Sequence, residues 1–548
     1  MAVAHADLWG QATRTTTSDG GLLEALEGER LAIAQRLDAA RQAQLGQYFT
    51  PASVARLMAG LFPERTATAL HLLDAGAGIG MLSAAWTEAV CGWAARPAAV
   101  AITAYELDPA LIPHLERTLA LCAQACARAG IAFRSRVQAC DFIADAVPLL
   151  RGDLFAPAPE RYDCAIINPP YGKMRGTSAE RALLRGIGIE MSNLYTGFLA
   201  LAMRLLREGG DIVAITPRSF CNGSYFRPFR RELLATMALT RVHLFGSRTQ
   251  AFRDDAVLQE TVIFRASRGL PQPGTVAVSE SAGPDDEDVA THPMPFARMV
   301  HSDDPEMALH LVSDALGQQV AERMGRCATP LAELGLAVST GRVVDFRATP
   351  YLRAEPGPGT VPLIYPEHCA AGGVRWPRLQ SKKPQAIDDV PETAGLLVPS
   401  GTYVLVKRFS AKEERRRVVA AVYGPGVRPA ARVGLENHLN YYHCGGGGIA
   451  PTLALGLAAF LNTTIVDAHF RQWSGSTQVN ATDLRKLRYP SADALVALGA
   501  RLTGGMPDQH TLDMLVEGPC LRLSDLCRFA PKRPGKRPFF SAPSPTDA

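Results

Sequence analysis

The chain has 548 residues and a net charge of +4 at pH 7; 47% of its residues are hydrophobic and 20% are charged. This length predicts two or three domains, and this composition is typical of a soluble globular protein. No apolar run approaches the roughly 18 residues of a membrane span, which argues against an integral membrane protein. The 11 cysteines show no C-x-x-C spacing, and the N-terminus shows no secretory signal. We therefore expect reduced thiols and a cytoplasmic location.

Residues 1–44 are expected to form an N-terminal segment with one amphipathic helix, because apolar residues recur at helical spacing over Leu22–Gln44. The run Tyr48-Phe49-Thr50-Pro51 follows. Thr50 before Pro51 predicts a helix start, with threonine as the N-cap and proline at the first helical position. By itself this run fits either an ordinary helix start or a loop that closes over a cofactor.

A glycine-rich turn follows the first predicted strand. The residues His71–Gly80, HLLDAGAGIG, predict a strand, a turn with the spacing G-x-G-x-G and the start of a helix. Glycines let the backbone turn sharply and let a ligand approach closely, but dinucleotide-binding proteins use the spacing G-x-G-x-x-G. Asp74 precedes Gly76 and Gly78. A carboxylate at this position suits a cationic part of a ligand, such as an ammonium group, better than a pyrophosphate.

Acidic residues also follow the next two predicted strands. Glu106 follows the strand Val100–Tyr105, at the point where doubly wound folds hold ribose hydroxyls. Asp141 and Phe142 follow the strand Ile131–Gln138, and an Asp beside an apolar residue can accept a hydrogen bond from an adenine amine. Strands alternate with helices, which predicts an α/β fold with a mainly parallel sheet covered on both faces. Ligands of such sheets bind at the carboxyl ends of the strands.

The most informative motif follows the fourth predicted strand. The apolar run Cys164–Ile167 ends in Asn168-Pro169-Pro170-Tyr171, and two successive prolines cannot continue a sheet because they lack the N–H that pairs strands. The prolines hold an amide side chain, a proline carbonyl and an aromatic ring in a fixed relation. Two acceptors beside a stacking ring suit a flat heterocycle with an exocyclic amine. We therefore expect these residues to hold an adenine while its amino group is methylated.

Three further strands complete a predicted seven-stranded sheet, and the domain spans residues 45–266. Residues 267–330 begin with a Gly-, Pro-, Asp- and Ser-rich stretch and are expected to be a linker. Residues 331–490 contain mainly short predicted strands and turns, and we expect a mixed α+β domain there. They carry 19 Lys and Arg against 12 Asp and Glu, and basic and aromatic residues interleave, which fits a surface that contacts phosphates and stacks on bases. A solvated basic surface would give the same composition. Residues 491–548 are expected to form a helical segment and a basic, proline-rich, disordered tail.

Together these motifs resemble the amino-group DNA methyltransferases. The resemblance covers the glycine loop, the two strand-end acids and Asn168-Pro-Pro-Tyr171, in this order and at this spacing. The run Gly46–Pro51 precedes the glycine loop, and the variable domain follows the catalytic one, as in the gamma class, the TaqI-like N6-adenine enzymes of type II restriction–modification systems. The stretches Ser339–Arg342 and Ser474–Arg485 are also similar to type II methylases of that class. The resemblance implies a Rossmann-like domain that binds S-adenosylmethionine, followed by a DNA target-recognition domain.

The resemblance implies roles for four sets of residues. Those expected to cover the methionine part of the cofactor, or to lie beneath it, are Tyr48, Phe49, Thr50, Pro51, Asp74, Gly76 and Gly78. Those expected to bind its ribose and adenine are Glu106, Asp141 and Phe142. Those expected to hold the target base are Asn168, Pro169, Pro170 and Tyr171, with Phe252 as a second aromatic partner. Those expected to contact DNA are Arg342, Arg347, Lys382, Lys383, Lys407, Arg408, Gln478 and Asn480.

The implied reaction transfers a methyl group to N6 of an adenine that is flipped out of double-stranded DNA. It would protect a short recognition sequence from a cognate restriction endonuclease on a separate chain. We expect a monomer and no metal ion, because the histidines and cysteines show no metal-ligand spacing. Three alternatives stay open: methylation of RNA or protein glutamine, methylation of cytosine N4, and a DNA-binding module without catalysis. The sequence shows no nuclease-like Asp…Glu-x-Lys core, so cleavage by this chain is not expected.

Overall fold

A computed structural model describes residues 21–36, 48–152, 160–245, 261–311, 315–410, 416–473, 478–502 and 505–516, apart from positions 282, 285, 287, 288, 303, 371, 379 and 428. The chain divides between residues 313 and 314 into two compact units. No single helix of the described ranges is long and apolar enough to cross a membrane; one pair of helices passes the same test together, Pro451–Leu461 and Thr464–Gln472, bent by 59°.

The first unit contains one large sheet flanked by helices. The helices described in it are α1 (Leu22–Ala34), α2 (Ala52–Ala59), α3 (Met81–Gly92), α4 (Ile112–Arg128), α5 (Phe142–Arg151), α6 (Ala179–Arg185), α7 (Leu194–Leu205), α8 (Arg227–Thr236) and α9 (Phe296–Met299). The strands are β1 (Ala69–Ala75), β2 (Ala99–Tyr105), β3 (Ala132–Gln138), β4 (Tyr162–Ile167), β5 (Leu206–Pro217), β6 (Met237–Phe245), β7 (Thr261–Arg268), β8 (Thr275–Ser281) and β9 (Ala290–Pro295).

The strand order is β3-β2-β1-β4-β5-β7-β6-β8-β9. The first five strands of this order run parallel, and β7 runs antiparallel to both β5 and β6. Alternate residues of β4 enter different cores: Cys164 and Ile166 pack on one face of the sheet, Ala165 and Ile167 on the other. A parallel strand buried on both faces is an unbroken apolar run. The strand order reverses between β1 and β4, where doubly wound sheets open a crevice for ligands.

The sheet has nine strands, two more than predicted, because the expected linker over residues 267–330 contributes β8 and β9. β8 pairs parallel with β6, and β9 pairs antiparallel with β8. Val276 and Val278 are fully buried and alternate with the more exposed Thr275, Ala277 and Ser279. The linker prediction is therefore wrong over this stretch, since its Gly, Pro and Asp residues mark the turns around two short strands rather than one continuous loop.

The second unit contains two smaller sheets and a helical layer. Its strands are β10 (Ala337–Thr340), β11 (Leu352–Arg353), β12 (Thr360–Ile364), β13 (Cys369–Ala370), β14 (Gly372–Val374), β15 (Ala386–Asp388), β16 (Leu397–Pro399), β17 (Tyr403–Lys407), β18 (Ala420–Tyr423), β19 (Arg432–Leu435) and β20 (Leu439–His443). Its helices are α10 (Ala315–Met324), α11 (Asp345–Ala348), α12 (Pro451–Leu461), α13 (Thr464–Trp473), α14 (Ala481–Lys486), α15 (Ala492–Ala500) and α16 (Gln509–Val516). The sheet orders are β10-β20-β17-β18-β14-β13 and β11-β15-β12-β19-β16.

Residues 491–516 belong to this unit, although the sequence predicts a separate C-terminal segment. Helices α12 and α15 touch through their backbones: a Cβ atom on Gly456 would lie 1.8 Å from the Leu495 carbonyl oxygen, and one on Gly499 would lie 1.9 Å from the Thr452 carbonyl oxygen. Only glycine permits so close an approach. Leu495 is therefore part of the same core as α12. The expected tail, residues 517–548, lies outside the described residues.

Candidate active site

A cavity of about 410 Å³ opens at the carboxyl ends of β1, β2, β3 and β4. The sequence-predicted residues that line it are Tyr48, Phe49, Gly76, Gly78, Glu106, Asp141, Phe142, Asn168, Pro169, Pro170 and Tyr171. The structure therefore brings together motifs that are far apart in the sequence, from Tyr48 to Tyr171. Asp74, Thr50 and Pro51 are not among the lining residues.

The glycine loop after β1 is held by hydrogen bonds that it donates to the end of β2. The backbone N–H groups of Gly76 and Ala77 both donate to the Tyr105 carbonyl, at 3.0 and 2.8 Å. Gly78 has φ +58°, and a Cβ atom on it would lie 3.4 Å from the Phe49 ring. Glycine is needed there because the backbone is left-handed and the Phe49 ring packs directly over it.

Asp74 lies beneath this loop and is fully buried. Its Oδ2 atom accepts a hydrogen bond from the Ser83 hydroxyl at 2.7 Å, whereas its Oδ1 atom has no partner among the described residues. Burial raises the pKa of this carboxyl to about 7, and the Ser83 hydrogen bond only partly opposes that rise. An unpartnered buried carboxylate oxygen can accept a hydrogen bond from a ligand or take up a proton.

Glu106 connects the ends of β1 and β2. One carboxylate oxygen accepts from the Gly78 N–H at 2.8 Å and the other from the Asp108 N–H at 2.7 Å. The side chain is 7% exposed, and burial raises its pKa while these backbone hydrogen bonds oppose the rise. Glu106 thus fixes the glycine loop, and each oxygen keeps a lone pair for a further donor.

Asp141 and Phe142 begin α5. The Asp141 side chain is the N-cap of that helix and accepts from the Ala144 N–H at 2.8 Å, a role the sequence reasoning missed although an Asp just before a helix indicates it. Phe142 packs against Tyr105 at 4.9 Å and against Phe198 at 5.2 Å, measured between ring centroids. The two residues therefore give the cavity one polar and one apolar wall.

The Asn168 side chain has a fixed orientation. Its amide nitrogen donates to the Tyr48 carbonyl at 3.2 Å and to the Thr50 hydroxyl at 3.1 Å. Its amide oxygen accepts from the Tyr171 hydroxyl at 3.1 Å. An amide oxygen has two lone pairs, so one acceptor position of Asn168 is left for a ligand in the cavity.

Two tyrosine rings face each other beside this amide. The Tyr48 and Tyr171 ring centroids are 6.3 Å apart, with 28° between the ring planes, and Tyr195 meets Tyr171 edge-on at 6.1 Å. Burial raises the pKa of the Tyr171 hydroxyl well above its usual range, so this phenol is neutral at physiological pH. The neutral ring is an apolar surface on which a flat group can stack.

Thr50 does not cap a helix, contrary to the sequence prediction. Pro51 is the N-cap residue, and α2 begins at Ala52, whose N–H donates to the Glu27 carboxylate at 3.1 Å. The Thr50 hydroxyl instead accepts from Asn168. The local signal for a cap was therefore wrong because a long-range partner takes the threonine side chain.

In the second unit, three of the candidate DNA-contacting residues bond to other side chains, and a fourth caps a helix. Arg408 donates to the Gln478 side chain and to the Asn437 carbonyl, both at 3.2 Å. Lys383 forms an ion pair with Asp345 at 3.0 Å. Asn480 is the N-cap of α14, which gives it a local structural role.

The other candidates of this unit are cationic. Arg342, Arg347 and Lys382 are exposed, and Lys407 is half-buried. Arg347 lies over the ring of Phe346, whose side chain is 77% exposed.

Phe252, the expected second aromatic partner of the target base, lies outside the described residues. Within those residues no group of three or more His, Cys, Asp or Glu side chains could hold a metal ion.

Comparison with known proteins gives the family. The model of the Eco57I restriction-modification methylase family matches residues 141–252. The chain is 39% identical over 487 residues to the type II methyltransferase M.PstI of Providencia stuartii, covering 89% of this chain and 95% of that protein. It is 42% identical over 480 residues to M.BsuBI of Bacillus subtilis, covering 87% and 93%. Among solved structures, the type IIG restriction endonuclease BpuSI is 13% identical with a TM-score of 0.42, covering 92% of this chain and 66% of that one. The chain belongs to the type II restriction–modification methyltransferases.

Proposed function

We propose that this chain transfers a methyl group from S-adenosylmethionine to N6 of an adenine in a short DNA sequence. The observation that carries the proposal is the orientation of Asn168. Because both N–H groups of its amide are bonded to Tyr48 and Thr50, the amide presents its oxygen as an acceptor. An acceptor, and not a donor, is what an exocyclic amine requires.

The residues beside Asn168 fit the cofactor. The unpartnered Oδ1 atom of Asp74 beneath the glycine loop suits the N–H donors of an amino-acid group. Glu106 keeps lone pairs for ribose hydroxyls, and Phe142 offers an apolar wall to an adenine ring. When bound, S-adenosylmethionine supplies an electrophilic methyl group. Tyr48, Phe49, Thr50 and Pro51 form the segment that would border it, with Gly76 and Gly78 below.

In this proposal, the residues of the chain contribute to catalysis by making the target amine more nucleophilic. The lone pair of adenine N6 is delocalised into the ring, so the free amine is a poor nucleophile. Hydrogen bonds from its two protons to the Asn168 amide oxygen and the Pro169 carbonyl favour a pyramidal nitrogen with a localised lone pair. Such preorganised acceptors act through position and electrostatics. No general base is needed beforehand, because the extra proton leaves readily after transfer.

The base must leave the duplex to reach this cavity. Flipping costs a few kcal/mol, and stacking on an aromatic ring returns about 1–3 kcal/mol per base. Tyr171 is the stacking surface in this proposal, and its ring already faces that of Tyr48. Phe252 stays a predicted second partner.

The second unit would read the DNA sequence. Its exposed cations, Arg342, Arg347 and Lys382, suit phosphate contacts, and Arg408 with Gln478 offers donors for base edges. We propose that the chain acts as a monomer and that the matching restriction endonuclease is a separate chain. The relatives M.PstI and M.BsuBI are type II methyltransferases, which supports the methyltransferase activity in the proposal.

Expression in a host without DNA methylation, followed by long-read sequencing of its genome, tests the proposal. We expect N6-methyladenine at one short motif, and no such signal with Asn168→Ala. Methylated cytosine N4 at the motif, or methylation that persists in Asn168→Ala, would contradict the assignment. Binding of S-adenosylmethionine by both proteins, measured by calorimetry, verifies that the variant is folded.

A further inference from the structure

Two cationic side chains at the mouth of the cavity have no role in the chemistry described above. Lys173 and Arg175 lie two and four residues after Tyr171, the last residue of the Asn168-Pro-Pro-Tyr171 motif, and both line the cavity. Both side chains are exposed, and neither forms an ion pair or a side-chain hydrogen bond with another described residue. They are therefore available to an anion that approaches the same opening as the substrate.

Backbone hydrogen bonds fix the segment that carries these two side chains. The Met174 N–H donates to the Ser192 carbonyl at 2.9 Å, and the Leu194 N–H donates to the Gly172 carbonyl at 2.8 Å. Met174 is 8% exposed and packs into the core of the first unit. Because successive side chains of an extended segment point to opposite sides, Lys173 and Arg175 share the outer side, about 6.6 Å apart along the chain.

Acidic and basic side chains lie at different places around the opening of the cavity. Asp141 and Glu106 lie at the strand ends, where both accept backbone N–H groups. Glu180 also lines the cavity and disfavours an anion next to it. The side of the opening that attracts an anion is therefore the Lys173–Arg175 segment, which follows the base-holding motif within four residues of Tyr171.

We propose that Lys173 and Arg175 bind the two phosphates that flank the flipped target nucleoside. The inference rests on the proposed function and adds the part of the substrate that these side chains contact. A nucleotide whose base lies at Asn168 and Tyr171 carries one phosphate on each side of its sugar. Two cations on one rigid segment can hold both, since Lys and Arg are the side chains that most often contact phosphate oxygens.

The salt dependence of DNA binding tests this site. The variants are Lys173→Gln, Arg175→Gln and the double substitution, in the full-length protein with a duplex that contains its recognition sequence. The slope of log affinity against log salt should fall by about 0.9 for each lost phosphate contact, hence by about 1.8 in the double variant. Arg185→Gln is the matched control, because Arg185 is an exposed cation on α6 outside the cavity lining.

Neutral linkages in the DNA test which phosphates are bound. Methylphosphonates at the two phosphates that flank the target adenosine should weaken wild-type binding about tenfold per contact, while the double variant should be insensitive to them. Equal sensitivity of both proteins would overturn the proposal, as would an unchanged salt slope. Failure of the proposed function would look different, because the wild-type protein would then not methylate the duplex at all. Calorimetry with S-adenosylmethionine should give wild-type affinity for every variant.

Discussion

The Asn168 amide nitrogen donates to the Tyr48 carbonyl oxygen at 3.2 Å across 120 residues of sequence. A carbonyl oxygen cannot donate, so this contact fixes which end of the amide is the nitrogen. The amide oxygen then lies toward the Tyr171 hydroxyl. The acceptor geometry proposed for the substrate amine is therefore set by the folded chain before any substrate binds.

Removing the Thr50 hydroxyl, which accepts a hydrogen bond from the Asn168 amide nitrogen, should slow methylation. Thr50→Val keeps the shape of the buried side chain and leaves one N–H of Asn168 unpaired, which costs about 1–3 kcal/mol. We expect the single-turnover methylation rate to fall by about tenfold or more, with little change in cofactor affinity measured by calorimetry. Thr50→Ser should restore most of the rate, and a Ser variant as slow as the Val variant would contradict this role.

The stability of the cofactor-free protein should depend on the protonation of Asp74. Burial raises its pKa from an ordinary 3.8 to about 7. Between these values the folded protein keeps a proton that the unfolded chain releases, so each pH unit lowers the free energy of unfolding by up to about 1.4 kcal/mol. Above about pH 7 the Asp74 carboxyl is ionised in both the folded and the unfolded protein, so the free energy of unfolding no longer changes with the titration of this group.

The measurement is the melting temperature of the wild-type protein and of Asp74→Asn from about pH 5 to 8. As the pH rises through this range, the melting temperature of the wild-type protein should fall. The melting temperature of Asp74→Asn should therefore rise relative to that of the wild-type protein. Glu106 also has a raised pKa and interacts with Asp74, so the difference reports Asp74 together with its interaction with Glu106. A constant difference across the range would show that Asp74 is not protonated in the fold.

Glu106→Gln should weaken cofactor binding by disturbing the glycine loop. The carboxylate accepts from the N–H groups of Gly78 and Asp108, whereas glutamine offers one acceptor and turns an NH₂ group toward the other N–H. The mismatch costs about 1–3 kcal/mol, so calorimetry should report at least about a tenfold loss of affinity for S-adenosylmethionine. Glu180→Gln is the control in the same cavity, because its carboxylate does not bond to the loop, and it should bind normally.

Gly456→Ala should destabilise the second unit. The new Cβ atom would lie 1.8 Å from the Leu495 carbonyl oxygen, so α12 and α15 must separate. Overpacking of this kind costs about 1–3 kcal/mol or more, and the melting temperature should fall by several degrees. Gly424→Ala is the matched control, because no atom lies within 4 Å of its new Cβ; equal melting temperatures for the two variants would exclude a tight contact between these helices.

The expectation of a type II restriction–modification methyltransferase is confirmed by the family comparison. The adenine target, the gamma class and the individual residue roles stay predictions. Several features of the fold were also predictable from short stretches of sequence. The apolar run of β4, the turn at Gly76 and Gly78 and the strand stop at Pro169 are local, because each follows from the backbone preferences of a few neighbouring residues.

Other features depend on contacts that no local pattern encodes. The strands β8 and β9 are short and interrupted by turn residues, and only pairing with β6 makes them part of the sheet. The close approach of α12 and α15 depends on Gly456 meeting the backbone at Leu495. The local composition predicted a linker over residues 267–330 and a separate segment from residue 491 onward. Both predictions missed these contacts because composition does not indicate which surfaces are buried against each other.

The sequence by itself determined that an amide, a proline carbonyl and a ring stand at the end of one buried strand. Only the tertiary structure decided which way the amide faces. Thr50, whose position before Pro51 predicts a helix cap, accepts from Asn168, and Tyr48 supplies the other acceptor. The physical reason is that a hydrogen bond between residues far apart in the chain forms only when packing brings its donor and acceptor together.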